Sequence, residues 1–278
     1  MPLSNEKGRT GTTIGKMMSQ PLFSCVMPVK GPRPYMDAAL ESLRSQGMGD
    51  DLEIIVQDAD VEPDRGQSDA FNKGFAKAHG RWLFWLNADD VLLPNALNRV
   101  RRVIEASSAR TWIAGNQIFM DKDGRITKCL WANRWHDGLY RHAIPHVNGP
   151  SAFFTRELLA KVGGFDVRMN VGMDFDLWNK FMKAGARFER IPAYLWAWRN
   201  HEGSKTSSGT RDEAELRRQA DEIAAMLARQ DFILTRGGAA WLRLWRLLDG
   251  SYLRSCIDTV RWRGCDLPSF AERKCGEP

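Results

Sequence analysis

Two adjacent carboxylates follow a strongly apolar stretch of the sequence. Residues 82–86 read WLFWL and are followed at once by Asn87, Ala88, Asp89 and Asp90. Large apolar residues between a Gly-Arg turn and an acidic cluster are typical of a buried strand. In an open parallel sheet, ligands bind at the carboxyl end of such a strand. Oxygen donors there suit Mg²⁺ or Mn²⁺. The alternative is an Asp-rich turn before the next helix.

Strands and helices alternate through the first part of the chain. Apolar runs predict strands at residues 22–27, 52–57 and 82–86, and helical spacing predicts helices at residues 35–46, 68–78 and 94–106. This alternation predicts a parallel sheet with right-handed crossovers. Asp58 ends the second strand and Asp89 follows the third, so both are expected at the same edge of the sheet. Their coincidence favours a binding site there.

The pattern changes after residue 110. Two apolar runs flank Asp121-Lys122-Asp123-Gly124, which predicts a hairpin and therefore a mixed sheet or an appended ribbon. Thr155 is expected to cap a helix that ends at Gly163. Further strand and helix signals follow at residues 151–154, 173–184, 188–198 and 211–230.

A basic, tryptophan-bearing segment lies near the C-terminus. In residues 241–263 the apolar side chains fall on one helical face and arginines lie off that face; the apolar set is Trp241, Leu244, Trp245, Leu248 and Tyr252. Such segments resemble helices that lie in a membrane interface. The alternative is a helix that packs on its own domain with arginines reaching to water. The interruption at Asp249-Gly250 favours that second interpretation.

Composition limits the classes of function. A net charge of +6 and a pI of about 9.2 favour acidic partners such as phosphates, anionic lipid or nucleic acid. No recognised nucleic-acid motif is present, so a nucleic-acid partner is not expected. The five cysteines show no metal-binding spacing and fit a reducing compartment. No apolar run is long enough to span a membrane, and residues 1–20 lack the apolar stretch of a signal peptide.

Four segments together resemble the family 2 glycosyltransferases of the GT-A fold, of the type found in bacterial polysaccharide assembly. The segments are FSCVMPV with ALESLRSQ, VQDAD with DRGQSDAFNKGF, WLFWLNADDVLLP, and GPSAFFTRELLAKVGGFD with MDFDLW and WRNHEGSKT. The resemblance runs from about residue 22 to residue 205, and the C-terminal part of the chain lies outside it. It implies an α/β fold with a Rossmann-like, mostly parallel central sheet flanked by helices, here followed by a C-terminal helical extension.

The resemblance also implies a set of residues for a nucleotide-diphosphate-sugar donor. Asp58 matches the aspartate that binds the nucleotide base, and a carboxylate at a strand end can accept from a base N–H. Polar and basic residues in the following turn and helix are expected to meet phosphate or ribose. These residues are Arg65, Gln67, Ser68 and Asn72. Each of them could instead belong to a solvated helix start.

Asn87-Ala88-Asp89 occupies the place of the family's Asp-x-Asp motif, with Asn as a departure at the first position. Asp89 is therefore the expected direct ligand of Mn²⁺ or Mg²⁺, with Asp90 as second choice or as a group that supports the ligand. Asn87 and Ala88 are expected to contact the donor. A metal there would neutralise the departing diphosphate. His201 corresponds to a family histidine that reaches the metal or the diphosphate, although a lone histidine is more often structural.

Asp174 matches the family's catalytic base, and Met173 stands where the family usually has Glu. An inverting transfer needs one carboxylate to take the proton of the acceptor hydroxyl. Asp176, two residues further along the helix, points elsewhere.

The predicted organisation is therefore a flexible tail (1–20), a catalytic domain (21–206) and a helical extension (207–278). Within the catalytic domain, residues 21–110 form the nucleotide-binding half and residues 111–206 the acceptor-binding half. The predicted function is an inverting, metal-assisted transfer of a sugar to a hydroxyl of a glycan or lipid-linked acceptor. The alternative is a catalytically weak sugar-nucleotide-binding or scaffold protein. The expected location is the cytoplasm. A further expectation is a position at the inner face of the plasma membrane, in contact with anionic lipid.

Overall fold

The computed structural model of the protein describes residues 20–139, 147–169, 172–204, 213–229 and 235–275. The predicted flexible tail (1–20) lies almost entirely outside these residues. The strands are β1 (Phe23–Val29), β2 (Leu52–Asp58), β3 (Trp82–Trp85), β4 (Val91–Leu92), β5 (Trp112–Met120), β6 (Ile126–Leu130), β7 (Ala152–Thr155) and β8 (Glu189–Arg199).

In the first half of the chain the helices alternate with these strands, and in the second half they lie before and after β8. They are α1 (Met36–Arg44), α2 (Gln67–Lys77), α3 (Ala96–Glu105), α4 (Arg156–Val162), α5 (Met173–Lys183), α6 (Glu213–Arg229), α7 (Arg236–Leu248), α8 (Ser251–Trp262) and α9 (Leu267–Cys275). None of the helices in the described part of the chain is both long and apolar enough to cross a bilayer.

One sheet organises the molecule, in the order β2-β1-β3-β7-β5-β8-β4, with β6 paired to β5. β1 pairs in parallel with both β2 and β3, as the β-α-β alternation predicts. β7 then runs antiparallel to both β3 and β5, and β5 pairs in parallel with β8. Pairing is therefore parallel among β1, β2 and β3, and the rest of the sheet is mixed.

β3 shows why the central strands are apolar throughout. All four of its side chains are buried, and they alternate between two cores. Trp82 and Phe84 pack with residues of β1, α1 and α3, whereas Leu83 and Trp85 pack with residues of α2, α4 and α5. A strand that is covered by helices on both faces must be apolar at every position.

Local signals set several boundaries as expected. The β5–β6 hairpin turns at Gly124, which has a φ of +81°, and Asp121 accepts from the backbone N–H groups of Asp123 and Arg125. Thr155 caps α4 by accepting from the Leu158 N–H at 3.2 Å. The segment 241–263 is two helices because the chain turns at Asp249 and Gly250, where Gly250 has a φ of +76°.

Candidate functional site

A cavity of about 830 Å³ opens at the carboxyl-terminal edge of β1 and β3. Its wall is built from the turn after β1, the start of α2, the turn after β3, the start of α5 and the chain that leaves β8. Pockets of this size hold small ligands, and the edge of a parallel sheet is their usual place. The fold therefore brings together chain segments that are distant in sequence.

Asp89 is the carboxylate of the β3 turn that faces this cavity. Its Oδ2 lies 3.1 Å from His201 Nε2, and both residues line the wall. The Gly203 N–H donates to His201 Nδ1 at 3.2 Å, which leaves the ring proton on Nε2, directed at Asp89. The structure therefore places His201 in direct contact with the acidic turn.

Asp90 has a different position, and it is not a direct metal ligand in this arrangement. It is fully buried and does not line the cavity. Its carboxylate accepts from the Arg199 backbone N–H and from Asn87 Nδ2, both at 2.9 Å. Burial, and secondarily the neighbouring Asp89, raise the pKa of Asp90 well above the ordinary aspartate value. Asp90 thus holds the turn together behind Asp89, which matches the supporting role that was the alternative for it.

Asn87 links the buried carboxylate to the cavity wall. Its Nδ2 donates to Asp90, and its Oδ1 accepts from Gln67 Nε2 at 3.1 Å. Asn87, Ala88 and Gln67 all line the cavity. An amide can donate with one end and accept with the other, whereas a carboxylate at this position could only accept. The departure from Asp to Asn at residue 87 therefore matches its two neighbours.

Asp174 lies in the first turn of α5 on the wall of the same cavity. Its Oδ1 accepts from the Phe175 backbone N–H at 2.8 Å, and the Gly149 backbone N–H also faces the carboxylate. Burial outweighs these donors and raises the pKa of Asp174 above its ordinary value. Asp176 points away, as expected, since it is buried and pairs with Lys180 at 2.8 Å.

Asp58 is separated from the cavity by Arg33, a residue that was not singled out from the sequence. Arg33 Nη2 donates to Asp58 Oδ1 at 2.8 Å and to Asp60 Oδ2 at 2.9 Å. Arg33 lines the cavity, and Asp58 does not. The only sequence signal for Arg33 was its place in the Gly-Pro-Arg-Pro turn after β1.

Three predicted donor contacts lie outside the cavity, with their side chains engaged elsewhere. Arg65 is mostly exposed and pairs with Asp69 at 3.0 Å. Ser68 is buried and donates to the Met169 carbonyl at 2.7 Å. Asn72 both donates to the Phe165 carbonyl and accepts from the Phe165 N–H, at 2.9 Å each. The Ser68 and Asn72 contacts fix α2 against the chain between α4 and α5, and the Arg65 pair lies at the start of α2 itself, so the three side chains have structural roles in this arrangement.

Two further residues support the His201 side of the cavity. The Tyr35 ring lies 5.0 Å from the His201 ring, and the Arg199 guanidinium lies 4.6 Å from the Tyr35 ring. Arg199 Nε also donates to the Asp89 carbonyl at 3.1 Å. The aromatic ring is thus held between a cation and the imidazole, a favourable arrangement for a ring face. Arg199 lies in the WRNHEGSKT segment, but neither it nor Tyr35 was singled out from the sequence as a site residue.

Comparison with known proteins adds to this geometry. Residues 60–163 match the family model described as "Glycosyl transferase family 2". A glycosyltransferase of PGL/p-HBAD biosynthesis from Mycobacterium bovis is 26% identical over 185 residues, which is 57% of this chain and 69% of that protein. Over residues 60–163 the chain is therefore similar to the family 2 glycosyltransferases.

The fold of this glycosyltransferase domain has a solved counterpart. The S. aureus TarS fragment 1–349, solved in complex with UDP-GlcNAc, superposes with a TM-score of 0.55 at 14% identity. The match covers 75% of this chain and 69% of that fragment. The domain therefore has the GT-A fold. A Rickettsia bellii protein named as an uncharacterized glycosyltransferase is 23% identical over 69% of this chain, which spans only 32% of that protein's length.

Asp89 and His201 are the side chains on the cavity wall that could hold a divalent metal. Asp89 and His201 reach the cavity side by side, and the described residues contain no group of three His, Cys, Asp or Glu side chains placed to hold a metal. Mg²⁺ and Mn²⁺ are commonly held by one or two protein ligands plus substrate phosphates and water. The pair fits a metal shared with a diphosphate. Binding at Nε2 would displace the proton that His201 now directs at Asp89.

Proposed function

We propose that the domain is an inverting glycosyltransferase, which moves a sugar from a nucleotide-diphosphate donor to a hydroxyl of a glycan or lipid-linked acceptor. The observation that supports this most is that Asp89 and His201 share one cavity with Asp174. A cation-binding pair and a separate carboxylate are the two groups that such a transfer needs. The chain segments that follow β3 and β8, and the first turn of α5, supply them.

The donor half of the site would bind the nucleotide and its diphosphate. Arg33 reaches the wall with Asp58 behind it, so its guanidinium can donate to the base or to phosphate while Asp58 fixes its orientation. Gln67 and Asn87 offer neutral amide groups for the ribose or sugar hydroxyls. Asp89 and His201 would hold Mg²⁺ or Mn²⁺. When bound, that metal would supply positive charge to neutralise the departing nucleoside diphosphate.

Asp174 would act as the general base. As the acceptor oxygen attacks the anomeric carbon, Asp174 takes the hydroxyl proton, the bond from that carbon to the diphosphate oxygen breaks, and the configuration inverts. Burial raises the pKa of Asp174, so its carboxylate is a stronger base than an exposed aspartate. One carboxylate is enough, because the leaving diphosphate needs no proton from a second.

The test is donor turnover by Asp174→Asn against the matched control Asp176→Asn. UDP, GDP and dTDP are first screened by thermal shift with Mn²⁺, since a ligand that binds the native state raises its stability. Sugar nucleotides of the nucleotide that binds are then assayed. We expect Asp174→Asn to keep donor binding and to lose about 10²–10⁴-fold in turnover. Asp176→Asn changes a neighbouring carboxylate that points away and should lose far less. Equal turnover of Asp174→Asn and wild type would refute the assignment of the base.

The pH dependence gives a second measurement on the same group. The base works only when it is ionised, so kcat/KM should rise with pH through the pKa of Asp174 and level off above it. Because burial raises this pKa, the midpoint of the rise should lie above the ordinary aspartate value of about 3.9. A rise centred at or below that value would contradict the proposed role.

A second candidate is a sugar-nucleotide-binding protein with little catalysis. Asn87 and Met173 favour it, because both replace acidic residues of the family pattern. Metal-dependent nucleotide binding without turnover of any donor in the screen would support this candidate over the enzyme.

A further inference from the structure

Helix α8 presents its polar side to the domain and its apolar side to solvent. Its buried side chains are Ser251, Ser255, Asp258 and Trp262. The side chains that point outward include Leu253, Ile257 and Val260, which are 59%, 54% and 83% exposed. Hydrophobic burial normally orients an amphipathic helix the other way round. This inverted orientation needs an explanation in the contacts of its polar side.

Hydrogen bonds hold the polar side in place. Asp258 Oδ2 accepts from Trp131 Nε1 at 2.8 Å and from the Tyr194 hydroxyl at 2.7 Å. Ser255 Oγ accepts from the Trp131 backbone N–H at 2.9 Å. Thr259 Oγ1 accepts from the Cys129 N–H at 2.9 Å and donates to the Cys129 carbonyl at 3.2 Å. These contacts satisfy the chain at the end of β6, so the orientation of α8 is fixed.

The exposed apolar surface continues onto α7. Leu244, Leu247 and Leu248 are each more than half exposed, and Leu242 is the large side chain of this helix that is buried. The surface formed by Leu244, Leu247, Leu248, Leu253, Ile257 and Val260 is here called the outer face of the α7–α8 hairpin. Exposed apolar surfaces of this extent, rimmed by polar residues, mark interaction sites.

The charges around the outer face have one sign. Residues 236–264 contain six arginines and two aspartates. Asp258 is buried, and Asp249 accepts from the Arg134 and Ser251 backbone N–H groups. Arg243, Arg254 and Arg261 are exposed. A second copy of the hairpin would bring arginines against arginines, whereas an anionic bilayer offers both negative headgroups and an apolar interior.

We propose that the outer face of the α7–α8 hairpin docks on anionic lipid. The apolar side chains would enter the boundary between headgroups and acyl chains, with the arginines at the level of the phosphates. The packing interpretation, which the Asp249-Gly250 break favoured, describes Leu242 and Trp245, which pack on the core of the domain, whereas the side chains of the outer face stay exposed. The proposal is independent of the proposed function. If both hold, the docked domain would lie where a lipid-linked acceptor is found.

The test is vesicle flotation of the full chain without any donor. Vesicles are made of phosphatidylcholine alone or with phosphatidylglycerol. We expect wild type to float with the anionic vesicles, and Ile257→Glu/Val260→Glu to lose at least about tenfold in partition. The matched control is Leu216→Glu on α6, because Leu216 is 50% exposed and lies in a different helix. It should float as wild type does, with circular dichroism confirming that all variants are folded.

The double change Arg243→Gln/Arg261→Gln separates charge from apolar insertion. It should reduce binding to the anionic vesicles towards the level seen with phosphatidylcholine alone. Failure of wild type to float, or equal flotation of wild type and Ile257→Glu/Val260→Glu, would overturn the proposal. A concentration-dependent dimer that Ile257→Glu/Val260→Glu dissociates, without flotation of wild type, would assign the outer face to a second copy instead.

Discussion

The cavity and the α7–α8 hairpin arrange polar and apolar side chains in opposite senses. At the sheet edge, β3 buries all of its apolar side chains, and the turn that follows it places the Asp89 carboxylate at the cavity. In the hairpin, α8 buries hydroxyl and carboxylate groups and releases its apolar side chains to the surface. The sheet edge thus presents a ligand site, whereas the hairpin presents an apolar surface. The polar side of α8 can be buried because it has hydrogen-bond partners at the end of β6.

The largest expected effect concerns Asp89, the carboxylate of the β3 turn that faces the cavity. We expect Asp89→Ala to lose about 100-fold or more in donor turnover, because one of two candidate metal ligands is removed. The stabilisation of the protein by a nucleoside diphosphate with Mn²⁺, measured by thermal shift, should fall with it. The control is Asp123→Ala, an exposed aspartate in the β5–β6 turn. An unchanged Mn²⁺-dependent shift in Asp89→Ala would show that the metal is held elsewhere.

The next effect is expected in the hairpin, on its polar side. Asp258→Ala leaves Trp131 Nε1 and the buried Tyr194 hydroxyl without their acceptor. Each unsatisfied buried donor costs about 1–3 kcal/mol, so the free energy of unfolding should fall by about 3 kcal/mol. Urea denaturation measures this loss. A fall of less than about 1 kcal/mol would mean that hydrogen bonds do not hold α8 in its inverted orientation.

Asn87→Asp restores the family's acidic residue and should destabilise the domain. The new carboxylate would replace the Nδ2 donor that faces Asp90, and two carboxyl groups would then meet in a buried place. We expect the free energy of unfolding to fall by about 2 kcal/mol in metal-free buffer. Denaturation of Asn200→Asp, at an exposed position after β8, controls in parallel for the substitution itself. Unchanged stability of Asn87→Asp would show that the Asn87 amide is not required by its neighbours.

The smallest effect should come from the outer face. Ile257→Ser and Val260→Ser remove side chains that are already exposed, so each should change the free energy of unfolding by less than about 0.5 kcal/mol. Leu83→Ala, in the buried strand β3, should cost about 2–5 kcal/mol by the same denaturation assay. A large loss in Ile257→Ser would place that side chain in the core of the domain.

The sequence predicted the frame of the site better than its side chains. Apolar runs and helical spacing located β1 to β3 and α1 to α3, since these elements are buried on a regular period. The prediction for α2 was less accurate, because only Gln67 of its polar residues reaches the cavity. On a helix, Ser68 lies about 100° around from Gln67, and Asn72 about 140°. Motif spacing alone does not distinguish these directions.

Other parts of the site depend on contacts that a single sequence does not carry. The turn after β1 brings Arg33 against Asp58, and the Tyr35 ring contacts Arg199 and His201. No periodicity marks them. The burial of Asp90 was also not predictable, because Asp89 and Asp90 are adjacent and chemically identical. In the hairpin, hydropathy predicts a buried apolar face, and only the bonds to Trp131, Tyr194 and Cys129 show why that face is outside.

The way in which α8 is attached has a consequence for temperature. Burial of hydrocarbon gives protein contacts a large heat-capacity change, whereas exposure of polar groups changes the heat capacity in the opposite sense. Much of the contact between α8 and the end of β6 is made by hydroxyl, carboxylate and indole N–H groups. Separation of α8 from β6 should therefore have a smaller heat-capacity change than separation of two apolar helices of equal area. Its attachment should weaken less on cooling than that of the helices that cover β3.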